Sequence, residues 1–293
     1  MKLFKNVVLT VIGGVGYDVL SEKRAESYEI KTPYGSVFAS ILYTGAGGSN
    51  FDIAFISRHQ GKHHVPPHKI NFLALIDAAR QINAPIFAVN SVGLMRKVPL
   101  VENFETDEFL KTKTFTSPDS FLSFPFFVPN DFIDMTQNRI STFYDNETVH
   151  TDMTDPYCTD IRNLLFGVLK ELSVSYSQGT YLCTEGPRFE TKAEIRMFAQ
   201  FADVVGMTGV PEVVLAKEAG LCYASLCTIT NPAAGLSQNM VTADEVKVVV
   251  EKNQKTVFEI ISALAAVFAE RKNSKSECKK SCQCQNATIH GKL

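Results

Sequence analysis

Val7-Val8-Leu9-Thr10-Val11-Ile12-Gly13-Gly14 is a short apolar run that ends in a glycine-rich turn. Its β-branched content suits a buried strand, and the glycines mark where the chain leaves it. A membrane helix needs about 20 apolar residues, which no stretch of the chain approaches. The run follows Met1-Lys2-Leu3-Phe4-Lys5 directly and reads as a strand rather than a signal peptide.

Outward from that strand, strands and helices alternate. Residues 28–30 and 37–43 read as a hairpin around Pro33-Tyr34-Gly35, and 51–57 as the next strand. Residues 69–82 carry helical periodicity, and 85–89 is β-rich. Further strands are expected at 126–128, 179–183, 204–205 and 223–229. Helices are expected at 159–172, where Ile161, Leu164, Leu165, Val168, Leu169 and Leu172 share one face, and at 211–219. The last helix opens on a capping box, Thr242 with Glu245, and repeats apolar residues from Val246 to Val267. The pattern predicts a single α/β domain over 1–270, a twisted mixed β-sheet flanked by helices, with no linker dividing it. Residues 271–293 form a polar tail carrying Cys278, Cys282 and Cys284, expected to be flexible and to hold no ligand. A metal site with His290 or a Cys282/Cys284 redox pair are the alternatives there.

The 293 residues are 45% hydrophobic, enough for one sizeable core, and the formal net charge is -2. That balance offers no field for nucleic acid, and no basic run is interleaved with aromatics. The expectation is a cytoplasmic protein with neither nucleic-acid nor membrane partners. Four cysteines, Cys158, Cys183, Cys222 and Cys227, stand in apolar surroundings and read as small core residues.

Two segments carry chemistry. Gly186-Pro187-Arg188-Phe189-Glu190-Thr191-Lys192-Ala193-Glu194 offers an aromatic plate and a carboxylate, and Thr230-Asn231-Pro232 a carboxamide. A carboxylate accepts from a ring N–H, and an amide donates and accepts along one base edge. That pairing suits a 6-oxopurine, which presents an oxygen and an N1–H. Taken singly, Glu190 also reads as a helix-start carboxylate and Asn231 as a turn residue before Pro232. Arg58 and His59 follow an apolar strand, where α/β folds bind ligands, and a guanidinium matches phosphate oxygens. The turn Gly13-Gly14-Val15-Gly16 is not a dinucleotide fingerprint, because the third glycine of that pattern would fall at Val19.

From residue 8 to about 267 the chain resembles the trimeric purine nucleoside and 5'-methylthioadenosine phosphorylases. The resemblance is carried by Ile12-Gly13-Gly14-Val15-Gly16, Ser57-Arg58-His59-Gln60-Gly61-Lys62-His63, Asn90-Ser91-Val92-Gly93, Glu185-Gly186-Pro187-Arg188-Phe189-Glu190-Thr191, Gly206-Met207-Thr208-Gly209-Val210-Pro211-Glu212 and Thr230-Asn231. Each is weak alone, and six in the family's order are specific. Asn231 stands where adenine-specific members carry Asp, so the chain looks most like the branch acting on 6-oxopurine nucleosides, which includes S-methyl-5'-thioinosine phosphorylases.

The resemblance implies the nucleoside phosphorylase fold and a pentosyltransferase of purine salvage. Its substrates would be a purine nucleoside and inorganic phosphate, with no cofactor or metal. It assigns phosphate to Gly14, Arg58, His59, Asn90, Ser91 and Thr208, ribose and base to Phe189, Met207 and Thr230, and catalysis to Asn231 and Glu190. It also implies a homotrimer, possibly paired into a hexamer. Two departures bear on this. Val15 stands where the family usually offers a hydroxyl to phosphate. The resemblance assigns the 5' pocket to His150, Ala243 and Val246; Ala243 stands where members accepting a 5'-hydroxyl often carry His, which leaves room for a methylthio group. His150 matches a residue that reaches in from a neighbouring subunit and could meet either substituent. A methylthioadenosine phosphorylase, a hydrolytic nucleosidase and a nucleoside-binding protein on the same fold are the rival functions.

Overall fold

A computed structural model describes residues 4–14, 17, 26–43, 51–59, 65–96, 125–237, 240–273, 284 and 288–290. Val15, His63, residues 99–124, Cys278 and Cys282 lie outside these. Among the described residues, eleven strands and five α-helices follow one another as β1 (Val7–Gly13), β2 (Glu26–Thr32), β3 (Gly35–Tyr43), β4 (Asp52–Ser57), α1 (Phe72–Ile82), β5 (Ile86–Leu94), β6 (Phe126–Met135), β7 (Val149–Thr151), α2 (Thr159–Glu171), β8 (Tyr176–Thr184), α3 (Lys192–Phe198), β9 (Val204–Gly206), α4 (Glu212–Glu218), β10 (Tyr223–Pro232), α5 (Ala243–Asn273) and β11 (Thr288–His290).

The opening apolar run is fully buried as β1, which lies between β4 and β5 and runs parallel to both. Alternation along the central strands sorts their side chains onto two faces. Ile86, Ala88 and Val92 pack with Phe72, Leu75 and Ile76 of α1 and with Val213 and Leu215 of α4. Phe87 and Val89 point the other way, to Ile161 and Leu165 of α2 and to Val257, Ile260 and Leu264 of α5. Helices thus cover both faces of a mixed sheet, the α/β architecture expected from the sequence.

The nine-stranded sheet has the order β10-β6-β8-β9-β5-β1-β4-β3-β2, and β10 also pairs with β5. That extra pairing closes β5, β10, β6, β8 and β9 into a ring. Strands β5 and β10 are parallel across their whole length, whereas β9 meets β5 and β6 meets β10 antiparallel. The C-terminal ends of β1, β4, β5 and β10 consequently lie at one end of the sheet, where α/β folds place ligand sites.

Several elements outgrow their sequence signals. Strand β6 continues to Met135, and α5 runs past the polar change at Arg271 to Asn273. Helix α3 and strands β7 and β11 were not expected. Beyond α5 the described residues are Cys284, which is buried in the cluster under α2 and α5, and β11, which pairs antiparallel with β7. Burying a thiol and forming a strand pair both favour docking over solvation.

Candidate active site

The register of the central strands assembles the first group of candidates. Gly13 stands opposite Ser57 of β4 and Val89 of β5, so Gly14, Arg58 and Asn90 follow at one level. The backbone N–H of Arg58 donates to Gly13. A Cβ added to Gly14 would lie 3.1 Å from Arg58 Nη1 and 3.9 Å from His59 Nε2. A side chain there would crowd the Arg58 guanidinium while only touching His59, which is a physical reason for glycine.

Arg58 does not present its fork to the site as the sequence suggested. Its Nε and Nη2 donate to the two carboxylate oxygens of Glu212 at 2.7 and 2.9 Å, with both side chains wholly buried. Nη1 donates to Val89 O at 3.2 Å and is the arm that faces Gly14. Burial opposes the guanidinium's charge, but Glu212 more than offsets it and holds the pKa above the ordinary arginine value. Tyr223 Oη also donates to Glu212, at 2.7 Å. His59 donates from Nδ1 to Val65 O at 2.7 Å; a carbonyl only accepts, so Nδ1 carries a proton, and the bond turns Nε2 towards Gly14.

Beside them Asn90 bridges two strands and a loop. Its Nδ2 donates to Ser225 Oγ of β10 at 2.7 Å, and its Oδ1 accepts from Thr208 Oγ1 at 3.2 Å. Ser91 Oγ is shielded from solvent and has no hydrogen-bond partner among the described residues. A buried hydroxyl in that state has desolvation to recover from a ligand.

The second group lies where β8, β9 and β10 end. Met207, next to Thr208, packs on Gly186, where an added Cβ would come within 2.7 Å of Sδ; φ of +65° also favours glycine at that position. Glu190 accepts from Thr184 Oγ1 at 2.7 Å and lines a cavity of about 240 Å³ with Thr184, Gly186, Arg188 and Phe198. Burial raises its pKa above the usual carboxylate range, partly offset by the Thr184 hydroxyl. Phe189, beside it, is 42% exposed. Asn231 donates from Nδ2 to Pro232 O at 2.9 Å, and its Oδ1 accepts from Thr230 Oγ1 at 2.8 Å. Each end of the amide therefore keeps capacity for one further bond.

Glu190 and Asn231 share no hydrogen bond, and Asn231 does not line the cavity that Glu190 does. They are related through their neighbours: Lys192 packs on Gly235, and Ala233 joins Ile195 and Phe198 in one apolar cluster. His150 is exposed on β7 and Ala243 exposed at the start of α5, while Val246 packs on the cluster under that helix. Among the described residues no hydrogen bond or ion pair ties His150 to the other candidates.

Two positions of consequence escaped the sequence reading. Glu212 stood in a quoted motif but was given no role. Arg139 had no motif at all, yet its buried guanidinium binds four carbonyls, those of Thr184, Glu185, Met207 and Val210, and lies 5.1 Å from the Phe72 ring centre. It clamps the loop leading to Glu190 against the loop carrying Met207 and Thr208.

Residues 123–266 match the model of the Phosphorylase superfamily. A protein of Methanosarcina acetivorans named "Probable S-methyl-5'-thioinosine phosphorylase" is 45% identical over 90% of this chain and 92% of its own. The 6-oxopurine nucleoside phosphorylase of Pyrococcus furiosus is 36% identical over 92% of this chain and 96% of its own. Among solved structures, the methylthioadenosine phosphorylase of Schistosoma mansoni with adenine superposes with a TM-score of 0.77 at 26% identity, over 92% and 94% of the two chains. The chain belongs to the Phosphorylase superfamily, on the nucleoside phosphorylase fold.

Proposed function

We propose that this protein is a pentosyltransferase that cleaves 6-oxopurine nucleosides with inorganic phosphate, releasing the base and a ribose 1-phosphate. The observation that carries it is the half-buried Glu190 carboxylate, an acceptor for N1–H, with an Asn rather than an Asp at 231. Phosphate sits among Gly14, Arg58 Nη1, His59 Nε2, Ser91 Oγ and Thr208. Its charge stabilises the sugar as the C1'–N9 bond breaks, and it then captures C1'. Charge moves onto the departing purine, and the spare N–H of Asn231 bonds more strongly to it than to bound nucleoside, which lowers the barrier. Met207 lies along the ribose and Phe189 against the base, with Thr230 holding Asn231. No step calls for a metal or an organic cofactor.

At the 5' end we favour a methylthio group, because Ala243 gives a hydroxyl nothing to bond, and several relatives are named for methylthioinosine. Methylthioadenosine is the runner-up, since a Thermofilum pendens relative 34% identical carries that name. The active form is proposed to be a homotrimer, or two trimers paired, in the cytoplasm; light scattering tests the assembly. The decisive assay gives purified protein methylthioinosine, inosine and methylthioadenosine, each with and without phosphate. Release of hypoxanthine only with phosphate is expected. Release without phosphate would show hydrolysis, preferential release of adenine would favour the runner-up, and no release would mean a binding role.

A further inference from the structure

Cys158, Cys222 and Cys284 come from three distant parts of the chain, yet their sulfur atoms all lie within 4.8 Å of one another. Each is buried, among Ile161, Leu165, Ala224 and Val257. Two of the three stand on fixed backbone. The N–H of Cys158 donates to Tyr223 O at 2.8 Å, and Cys222, the preceding residue, accepts from Ile86 N at 2.8 Å. The third arrives with the C-terminal segment. None of them is in a disulfide.

The donor set is all sulfur, which selects thiophilic cations over hard ones. Three thiolates around one ion at about 2.3 Å place the sulfurs roughly 4 Å apart in a plane, so only a small closure separates the observed group from a bound geometry. We infer that these three cysteines form a structural site for a thiophilic d10 cation, univalent copper or divalent zinc, that fastens the C-terminal segment to the domain. On binding, each thiol gives its proton to solvent and three sulfur–metal bonds form, with no electron transferred. The bound group stays negative overall. Cys158 is the N-cap of α2, a 13-residue helix, and makes no side-chain cap bond, so its sulfur stands at the positive end of the helix dipole. The site lies apart from the residues proposed for phosphorolysis, and its metal takes no part in that reaction.

The test uses the full chain, reduced, stripped with chelator and titrated anaerobically with zinc(II) in one arm and copper(I) as its acetonitrile complex in the other. Expected are one equivalent of at least one metal per chain, thiolate-to-metal charge-transfer absorption, and a higher unfolding midpoint with unchanged phosphorolysis. Cys284→Ser should weaken binding by roughly a hundredfold or more, since even outer-shell partners of a metal are worth 10- to 100-fold. Should that variant misfold, X-ray absorption at the metal edge of the loaded unmodified protein decides: a shell of sulfur at about 2.3 Å is required, and a shell of nitrogen or oxygen overturns the site. Failure of both metals to bind, or binding unaffected by Cys284→Ser, overturns the site. So does protein isolated without reductant whose mass and peptide map show Cys158 and Cys222 joined as a disulfide.

Discussion

Glu212 and Arg58 show why a residue's type and its job can differ. The guanidinium was expected to grip phosphate with its fork, but three of its donor contacts go to a buried carboxylate and a strand carbonyl. Arg58→Ala therefore strands Glu212 in the interior and should cost about 3–5 kcal/mol of stability, seen as a large fall in the unfolding midpoint. Ser91→Ala is the cleaner probe of the anion site. It removes a hydroxyl with no partner among the described residues, so stability should stay within about 1 kcal/mol while KM for phosphate rises several-fold. Unchanged phosphate KM would remove Ser91 from the site. For the base, Asn231→Asp trades a donor for an acceptor and should lower the kcat/KM ratio of methylthioinosine over methylthioadenosine by about tenfold or more. Glu190 adds a pH signature. Its raised pKa means the fold favours the neutral acid, so its contribution to stability is fullest below the ordinary value of 4.5 and is lost as pH rises through the folded pKa. Binding runs the opposite way, because only the carboxylate accepts from N1–H. KM for the nucleoside should therefore climb as pH falls, beginning above the usual carboxylate range, and Glu190→Gln should flatten that limb.

Within the elements, local signals carried well and long-range ones did not. The strand at β1 was legible because five of its seven residues are apolar, and α2 because Ile161, Leu165, Val168 and Leu169 keep one face. Helix α3 was missed, being only seven residues long, although Thr191 and Glu194 complete a capping box with bonds of 3.1 and 2.7 Å. That box, with Arg188 paired to Glu194 at 2.7 Å, fixes the chain immediately after Glu190. The helix-start role that Glu190 could have filled thus belongs to its neighbours, which leaves its carboxylate to the cavity. The roles of Glu212 and Arg139 could not be read from sequence, because their partners lie far away in the chain. Arg139 contacts carbonyls from residue 184 to residue 210, and no periodicity announces such a clamp. The candidate site itself was legible as a set of short motifs; the division of labour inside it was not.

At the scale of the whole molecule, the sheet's closure and the docking of its C-terminal segment both rest on contacts between distant segments. Nothing in a strand's own pattern says that β10 will pair with β5 along its length and with β6 at its other edge. The burial of Cys284 was not legible in composition for a related reason. A polar, lysine-rich stretch reads as solvated, yet single residues within it can still be drawn into a core. Cys284 is 4% exposed in the cluster beneath α2 and α5, and β11 gives β7 a strand partner opposite residues 149–151. A chain ended after Asn273 would lose that buried thiol and leave β7 unpaired. Such losses commonly cost about 1–3 kcal/mol, so the unfolding midpoint should drop measurably. A solvated tail predicts instead no change in the midpoint. Because β7 carries His150, the truncated chain also separates two ideas about the 5' pocket. If His150 serves that pocket, KM for the 5'-substituted nucleoside should rise with KM for phosphate unchanged; if it does not, both constants should keep their full-length values while stability alone falls.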